Sequence, residues 1–158
     1  MTFDNYNIHL EPVTPDNWRT AFSLEPNQEN FVSDPNRILA RAYAYREHRS
    51  KAYILYTDST PIGMAMYYDA DNIQAYDFSQ FFIDRKYQGH GFGKAAALAV
   101  LNSMIADGKY SKVYLCYVEG NEAARCMYES LGFIHTGEKE VNEIGMMLDL
   151  SQLNSTIQ

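Results

Sequence analysis

One short segment constrains the fold of this chain more than any other. Residues 87–94 read Tyr-Gln-Gly-His-Gly-Phe-Gly-Lys, with a glycine at every second position. The segment follows a Tyr- and Phe-rich strand predicted at residues 74–83 and leads into a helix predicted at residues 93–106. A further strand is predicted at residues 112–118. This strand–helix–strand unit implies a parallel pair of strands joined by a right-handed crossover.

The other elements are predicted from periodicity, caps and turns. They are strands at residues 8–12, 52–57, 62–69, 133–139 and 144–150, and helices at residues 14–23, 36–48 and 121–130. We therefore predict an α/β (more narrowly α+β) fold, a mixed, mostly antiparallel sheet of six to seven strands with about four helices on its faces. The length of 158 residues fits one domain at residues 1–150, followed by a polar tail at residues 151–158 that is expected to fray.

Charge and composition exclude several classes of protein. Thirteen basic and 20 acidic side chains give a net charge of -7, which excludes a general nucleic-acid binder and favours cationic or neutral substrates. No apolar run reaches the roughly 18 residues that a membrane span needs. Cys116 and Cys126 are expected to be free thiols in a reducing compartment. The N-terminal residues do not resemble a secretory signal, so a cytoplasmic location is expected, and no metal site is predicted.

The glycine-rich loop has the chemistry of an anion site. Alternate glycines let the main chain turn tightly and direct successive N–H groups at one point, and the following helix N-terminus adds partial positive charge. The segment from Arg85 to Ala106 contains no acid, whereas Arg85, Lys86 and Lys94 are basic. A diphosphate suits such a loop best. The spacing differs from the kinase-type P-loop and from the dinucleotide fingerprint, and a connection without any ligand remains the alternative.

Two segments follow one another in a characteristic order, the loop Gln88-Gly89-His90-Gly91-Phe92-Gly93 and the helical segment from Asn121 to Tyr128 with Gly132-Phe133 after it. The first resembles the Arg/Gln-x-x-Gly-x-Gly/Ala signature of the GNAT family of acetyl-CoA-dependent N-acetyltransferases. The second resembles the Asn-x-x-Ala-x-x-x-Tyr…Gly-Phe motif of the same family. The likeness covers about residues 62–150, and within the family it is most similar to bacterial spermine/spermidine acetyltransferases.

The resemblance implies acetyl-CoA as cosubstrate and a small-molecule amine as acceptor. It implies that the pantetheine arm pairs with main-chain groups of Phe81 and Ile83, and that an N–H near Phe82 stabilises the oxyanion. Tyr128 would protonate the departing thiolate. The remaining cofactor-binding residues implied are Gln88, Gly89, His90, Gly91, Phe92, Gly93, Lys94, Asn121 and Arg125.

The acceptor ammonium must lose a proton before it can attack. Asp77 occupies the position where several family members place an acidic base, and strand alternation predicts that it shares a face with Ser79, Phe81 and Ile83. A water chain is the alternative route for this proton. His135 is expected to be structural.

Cys116 lies in the apolar run Tyr-Leu-Cys-Tyr-Val, and we expect it to be a buried, inert thiol. His90 is expected to help hold anions rather than to move substrate protons.

Acidic and aromatic residues mark the segments in which the family determines its acceptor. They are Glu25, Glu29, Asp34, Asp69, Asp71, Glu138, Glu140 and Glu143, with Tyr43, Tyr45, Tyr67 and Tyr68. Carboxylates and aromatic faces suit a multiply charged alkylamine, so a polyamine such as spermine or spermidine is the predicted acceptor. A solvated acidic surface, another small or peptide amine as acceptor, a non-catalytic acyl-CoA sensor and a ligand-free module are the alternatives. Family members often dimerise, so a homodimer is among the expectations.

Overall fold

The computed structural model describes residues 7–24 and 34–157. The strands are β1 (Ile8–Pro12), β2 (Lys51–Thr57), β3 (Thr60–Ala70), β4 (Ala75–Ile83), β5 (Lys112–Val118), β6 (Ile134–Glu140) and β7 (Glu143–Asp149). The helices are α1 (Pro35–Ala44), α2 (Phe92–Asp107), α3 (Glu122–Leu131) and α4 (Leu150–Ile157). Short 3-10 helices cover Arg46–His48, Asp71–Ile73 and Arg85–Tyr87. None of the helices in these two ranges is long and apolar enough to cross a membrane.

Across the described ranges, the seven strands form one sheet in the order β1-β2-β3-β4-β5-β7-β6. Neighbouring strands run antiparallel except β4 and β5, which are parallel. The predicted mixed, mostly antiparallel sheet and its strand–helix–strand crossover are therefore confirmed. The β4–β5 register joins only Tyr76 to Val113 and Asp77 to Tyr114, so the two strands separate beyond these pairs.

Helices cover both faces of the sheet, and each face has its own apolar cluster. The larger cluster joins α2, α3 and α4 to the sheet and includes Leu101, Leu115 and Leu131. The smaller cluster lies between α1 and the sheet and contains Ile38, Met64, Met66, Tyr68 and Phe82. On this face of the sheet α1 contacts β2 and β3. The strands β5, β7 and β6 therefore lie beside α1 on this face and are not covered by it.

The helix predicted at residues 14–23 is wrong. Residues 15–19 form turns, and the following residues up to 24 have no regular structure. The Asn17 side chain accepts a hydrogen bond from the Thr14 N–H at 2.7 Å and donates one to the Pro12 carbonyl at 3.0 Å. Such local bonds between side chain and main chain compete with helix formation.

The second predicted helix is confirmed in part. Asp34 caps α1 by accepting from the N–H groups of Asn36 and Arg37, as its Asp-Pro start predicts. The α-helix ends at Ala44 instead of continuing to residue 48, and a 3-10 turn follows. Arg49 then closes that turn with a positive φ of 52°.

The expectation that the chain frays from residue 151 is also wrong. α4 begins at Leu150, and Leu150 and Leu153 are buried in the larger cluster. These two leucines, one turn apart, pack the start of α4 against the sheet at β7. The boundary at residue 150 stays a prediction.

Candidate active site

A gap opens between β4 and β5 where their pairing stops. On the other side of β4, the Asp84 N–H donates to the Ile62 carbonyl of β3 at 2.7 Å. In an antiparallel pair only every second residue directs its main-chain groups at the neighbouring strand, so counting back from Asp84 shows which residues of β4 bond to β3. By this alternation Phe82 faces β3, whereas the N–H and C=O groups of Phe81 and Ile83 face the gap. These groups form a strand edge of the kind that pairs with an extended ligand, and the Ile83 carbonyl on it accepts a hydrogen bond from the Gln88 side chain.

β4 contains a bulge that changes which side chains share a face. The β3–β4 register shifts between Met66 and Tyr67 and passes over Ser79, which is the extra residue. Phe78 and Phe81 consequently lie on one face, with ring centroids 5.7 Å apart. Asp77 lies on the opposite face, beneath α1. The prediction that Asp77, Ser79, Phe81 and Ile83 share one face is therefore wrong.

The glycine-rich loop leads from the gap into α2. Gly89 and Gly91 have φ values of 78° and 84°, a left-handed conformation that favours glycine, and Gly91 occupies the N-cap of α2. The Gln88 side chain donates to the Ile83 carbonyl at 2.8 Å and so fixes the start of the loop. Gln88 through Gly91 are exposed, and the residues from Phe92 to Lys94 are half-buried. The loop thus presents main-chain N–H groups at a helix N-terminus that has no acid in its first turn.

Two residues that support the loop were not predicted. Asp84 is 2% exposed, and its carboxylate accepts from the N–H groups of Lys86 at 3.0 Å and Ser23 at 2.9 Å. Gly63 lies opposite Ile83, and a Cβ at this position would come within 2.1 Å of the Phe82 carbonyl oxygen. A carboxylate just before a turn and a glycine inside a strand are the sequence signals that could have identified them.

α3 places Tyr128 on the face of β4 opposite Asp77. Asn121 caps this helix by accepting from the Ala124 N–H at 3.2 Å, which confirms the predicted cap. The Tyr128 ring contacts Phe78 and Phe133 edge-on, at centroid distances of 6.4 and 5.6 Å. Burial raises the pKa of Tyr128, and its hydroxyl has no hydrogen-bond partner within residues 7–24 and 34–157. At neutral pH this hydroxyl therefore keeps a proton that it could donate.

The other polar residue predicted on α3 is engaged by its own helix. Arg125 bonds to Glu122 at 2.6 Å and to Glu129 at 3.1 Å, and these hydrogen bonds raise its pKa. A role for Arg125 at the cofactor stays a prediction. His135, expected to be structural, lies 2.8 Å from the Tyr117 hydroxyl.

Asp77 lies half-buried at the start of the gap. Burial raises the pKa of its carboxyl group, and the Glu143 carboxylate adds to this rise. The Tyr68 hydroxyl donates to its Oδ2 at 3.0 Å, and this bond and the charge of Arg41 act in the opposite direction. A raised pKa brings a carboxylate closer to the range useful for a general base at neutral pH.

Two adjoining cavities occupy the face of the sheet beside α1. The first, of about 490 Å³, is lined by Asp77 and by Tyr45, Tyr68, Asp69, Asp71, Tyr114 and Glu138, among others. The second, of about 390 Å³, is lined by Tyr114, Cys116, Glu138, Lys139, Glu140, Glu143 and Gly145. Tyr114 and Glu138 belong to both, and the Tyr114 hydroxyl donates to Glu138 at 3.3 Å. We refer to the two cavities together as the acidic cleft.

The carboxylates of the acidic cleft differ in how far they are neutralised. Lys109 lies 2.7 Å from Asp69 and 3.2 Å from Asp71, and Arg49 also pairs with Asp69. Asp77, Glu138, Glu140 and Glu143 form no ion pair with any residue that the structure describes. The negative charge available to a cation is therefore concentrated between Asp77 and the β6–β7 hairpin.

The cleft brings together most of the residues predicted at the acceptor. Tyr67 is an exception, because its ring is buried in the larger cluster on the other face of the sheet. Asp34 is occupied as the cap of α1, and Tyr43 is an exposed residue of that helix that does not line the cleft. Glu25 and Glu29 lie outside the described residues.

Cys116 is exposed to the acidic cleft, so the expectation of a buried thiol is wrong. Its side chain is on the face of β5 opposite Leu115, which is buried. The Tyr114 hydroxyl lies 3.0 Å from its sulfur. Partial burial raises the pKa of Cys116, so the protonated thiol predominates at neutral pH.

Comparison with known proteins agrees with this geometry. The family model described as "Acetyltransferase (GNAT) family" matches residues 12–133. The chain is 30% identical over 142 residues to the spermine/spermidine N(1)-acetyltransferase of Bacillus subtilis (strain 168), covering 86% of this chain and 93% of that protein.

Two solved structures share the fold. Spermidine N-acetyltransferase from Vibrio cholerae, in complex with CoA and spermine, has a TM-score of 0.74 at 17% identity, over 93% of this chain and 98% of that one. An acetyltransferase from Thermus thermophilus has a TM-score of 0.71 at 18% identity, over 90% of this chain and 96% of that one. The chain belongs to the acetyltransferase (GNAT) family and is an acetyl-CoA-dependent N-acetyltransferase.

Proposed function

We propose that this enzyme acetylates a primary amine of a polyamine such as spermine or spermidine, by direct attack of the amine in a ternary complex with acetyl-CoA. The observation that carries the proposal is the acidic cleft, whose carboxylates without an ion pair begin at Asp77 and continue along the β6–β7 hairpin. A polyamine carries several ammonium groups along one chain, and such a cleft favours it over a singly charged amine. The Bacillus subtilis relative supports the same acceptor class.

The residues present fit the carrier of the acetyl group. The loop from Gln88 to Lys94 would hold the diphosphate with main-chain N–H groups, and the edge of β4 at Phe81 and Ile83 would pair with the pantetheine arm. When bound, acetyl-CoA supplies a thioester carbonyl that is open to attack by an amine. Because Phe82 directs its N–H toward β3, the N–H of Phe81 is our candidate donor to the developing oxyanion.

The two proton-transfer residues lie on opposite faces of β4. Tyr128 is on the α3 face and would protonate the thiolate that leaves. Asp77 is on the α1 face, at the cleft, and would accept a proton from the incoming ammonium. This arrangement lets the acceptor and the thiol occupy different sides of the sheet, with the gap between β4 and β5 as the connection.

The experiment is a comparison of initial rates with spermine, spermidine, an aminoglycoside and a lysine peptide at a fixed concentration of acetyl-CoA. We expect kcat/KM to be at least tenfold higher for the two polyamines than for the others. Glu143→Gln should raise the KM for spermine several-fold because it removes one carboxylate from the cleft. Glu11→Gln on β1 is the matched control, since Glu11 is not among the residues that line the cleft. Near-zero turnover of both polyamines would refute the proposed acceptor.

Two further proposals concern assembly and location. A solved spermidine N-acetyltransferase from Vibrio cholerae is described as dodecameric, with a TM-score of 0.66 to this chain. For this chain we propose a homodimer, which sedimentation equilibrium would test. We also propose a cytoplasmic location, which cell fractionation would test.

A further inference from the structure

A connected cluster of side chains holds the carboxylate of Asp77. The Tyr68 hydroxyl donates to Asp77 Oδ2 at 3.0 Å. The Tyr45 ring stacks on the Tyr68 ring, with centroids 4.1 Å apart and an interplanar angle of 19°. The Arg41 guanidinium lies 4.9 Å from the Tyr45 ring centroid and 5.9 Å from that of Tyr68. Asp77 is thus linked through two stacked rings to a cation on α1.

Arg41 is also bonded to the bulge that gives Asp77 its orientation. Its Nε donates to the Ser79 hydroxyl at 2.7 Å. Ser79 is the extra residue of β4. If it paired in regular alternation instead of forming the bulge, Asp77 would face the α2 side of the sheet. One side chain of α1 therefore supports both the bulge and the rings beside the carboxylate.

We propose that Tyr68 and Arg41 are positioning residues that keep Asp77 ionised and directed into the acidic cleft, ready to take a proton from the acceptor ammonium. The inference rests on the proposed function and specifies how its base is maintained. In the step concerned, one N–H bond of the ammonium breaks and one O–H bond forms on Asp77. A neutral amine and a carboxylic acid result.

The groups around Asp77 act on its charge in opposite directions. Burial and the Glu143 carboxylate on β7 disfavour the ionised form. The Tyr68 hydroxyl on β3 and the Arg41 guanidinium on α1 favour it. On β5, Tyr114 lies opposite Asp77 in the register, and both Tyr114 and Cys116 have raised pKa values and are neutral near pH 7. His48, Asp71 and Glu138 line the same cavity as Asp77 and are unchanged in every variant tested below. Tyr68 and Arg41 are therefore the two groups whose loss should leave the carboxylate harder to ionise.

The test is the pH profile of kcat/KM for spermine, measured on the full chain. Tyr68→Phe removes only the hydroxyl, and we expect the acid limb of the profile to move upward by about one pH unit, the effect of losing one hydrogen bond to a charged group. The readout is the position of the limb and not the height of the plateau, because Tyr68 also lines the acidic cleft. Arg41→Gln should move the limb in the same direction. The ammonium of the acceptor titrates near pH 10, by analogy with lysine, and is the same for every variant.

Tyr45→Phe is the matched control. It keeps the stacked ring, removes a neighbouring hydroxyl that makes no bond to Asp77, and should leave the limb in place. Thermal melting of each variant shows whether it folds, and Arg41→Gln provides the test should Tyr68→Phe fail to fold.

Asp77→Asn separates the possible failures. If Asp77→Asn removes the acid limb but neither Tyr68→Phe nor Arg41→Gln moves it, the positioning role of Tyr68 and Arg41 is refuted. The assignment of Asp77 as the base is then still supported. If Asp77→Asn keeps full activity and the limb, Asp77 is not the base and the inference falls with it. If the wild-type chain acetylates none of the polyamines, the proposed acceptor fails first.

Discussion

Replacement of Tyr128 by phenylalanine is the sharpest test of how the thiolate is protonated. The change removes one hydroxyl and keeps the ring that packs against Phe78 and Phe133. That hydroxyl has no hydrogen-bond partner among the described residues, so its loss leaves no buried partner group unsatisfied. We expect the free energy of unfolding to change by less than about 1 kcal/mol.

The catalytic effect should be much larger than the effect on stability. Removal of a general acid typically lowers the rate about 10²- to 10⁴-fold, which corresponds to about 3–5 kcal/mol in the barrier. Burial raises the pKa of Tyr128, so in the wild type the hydroxyl stays protonated throughout the neutral range. The loss should therefore appear in kcat at pH 7, while the dissociation constant for CoA changes by less than about threefold.

The assay is steady-state release of thiol, combined with calorimetric titration of CoA into each protein. A thiol resembles cysteine, with a pKa of about 8.5, so the thiolate needs less help from an acid as the pH rises. We expect the deficit of Tyr128→Phe to be smaller at pH 9.5 than at pH 7. A variant that retains full kcat at both values, with unchanged affinity for CoA, would refute the role of Tyr128 as the acid.

Three further predictions concern the loop and the fold. Gly89→Val and Gly137→Val both place a branched side chain at a positive φ with open space around it, so each should lower the free energy of unfolding by about 1–2 kcal/mol. Only Gly89→Val should weaken CoA binding, by more than tenfold in calorimetry. Equal affinities of the two variants for CoA would contradict the assignment of the loop as the CoA site. Leu153→Ala should destabilise the protein by about 2–4 kcal/mol in urea unfolding because the side chain is fully buried, and a loss below 0.5 kcal/mol would mean that α4 is not docked. Hydrogen bonds from Arg49 and Tyr76 lower the pKa of Asp107, so its contribution to stability is present above about pH 4 and is lost as the pH falls below that value. The drop in Tm from pH 5 to pH 3 should therefore be smaller in Asp107→Asn than in the wild type, and an unchanged slope would contradict this.

The elements that sequence could predict are those set by local signals. The strand at residues 112–118 was predicted with the bounds that the structure shows, because alternating apolar residues between turns define it. The starts of α1 and α3 follow from the caps Asp34 and Asn121. Gly132 ends α3 with a φ of 104°, as a glycine after a helix should.

The errors arose where pairing or docking decides the outcome. The bulge at Ser79 exists only in the register between β3 and β4, so strand alternation alone assigned Asp77 to the wrong face. Burial of Leu153 depends on the position of the sheet, and a polar segment with few apolar residues gives no local sign of it. Cys116 sits in an apolar run, but its face of β5 is the one that α1 leaves uncovered.

The central claim is that the loop between β4 and α2, together with the gap beside β4, binds the diphosphate and arm of acetyl-CoA. Isothermal titration calorimetry with CoA tests it most directly. The account predicts saturable heat with one site per chain in the wild type, and its loss in Gly89→Val but not in Gly137→Val. An absence of saturable heat with both CoA and acetyl-CoA, in a folded wild-type protein, would contradict it.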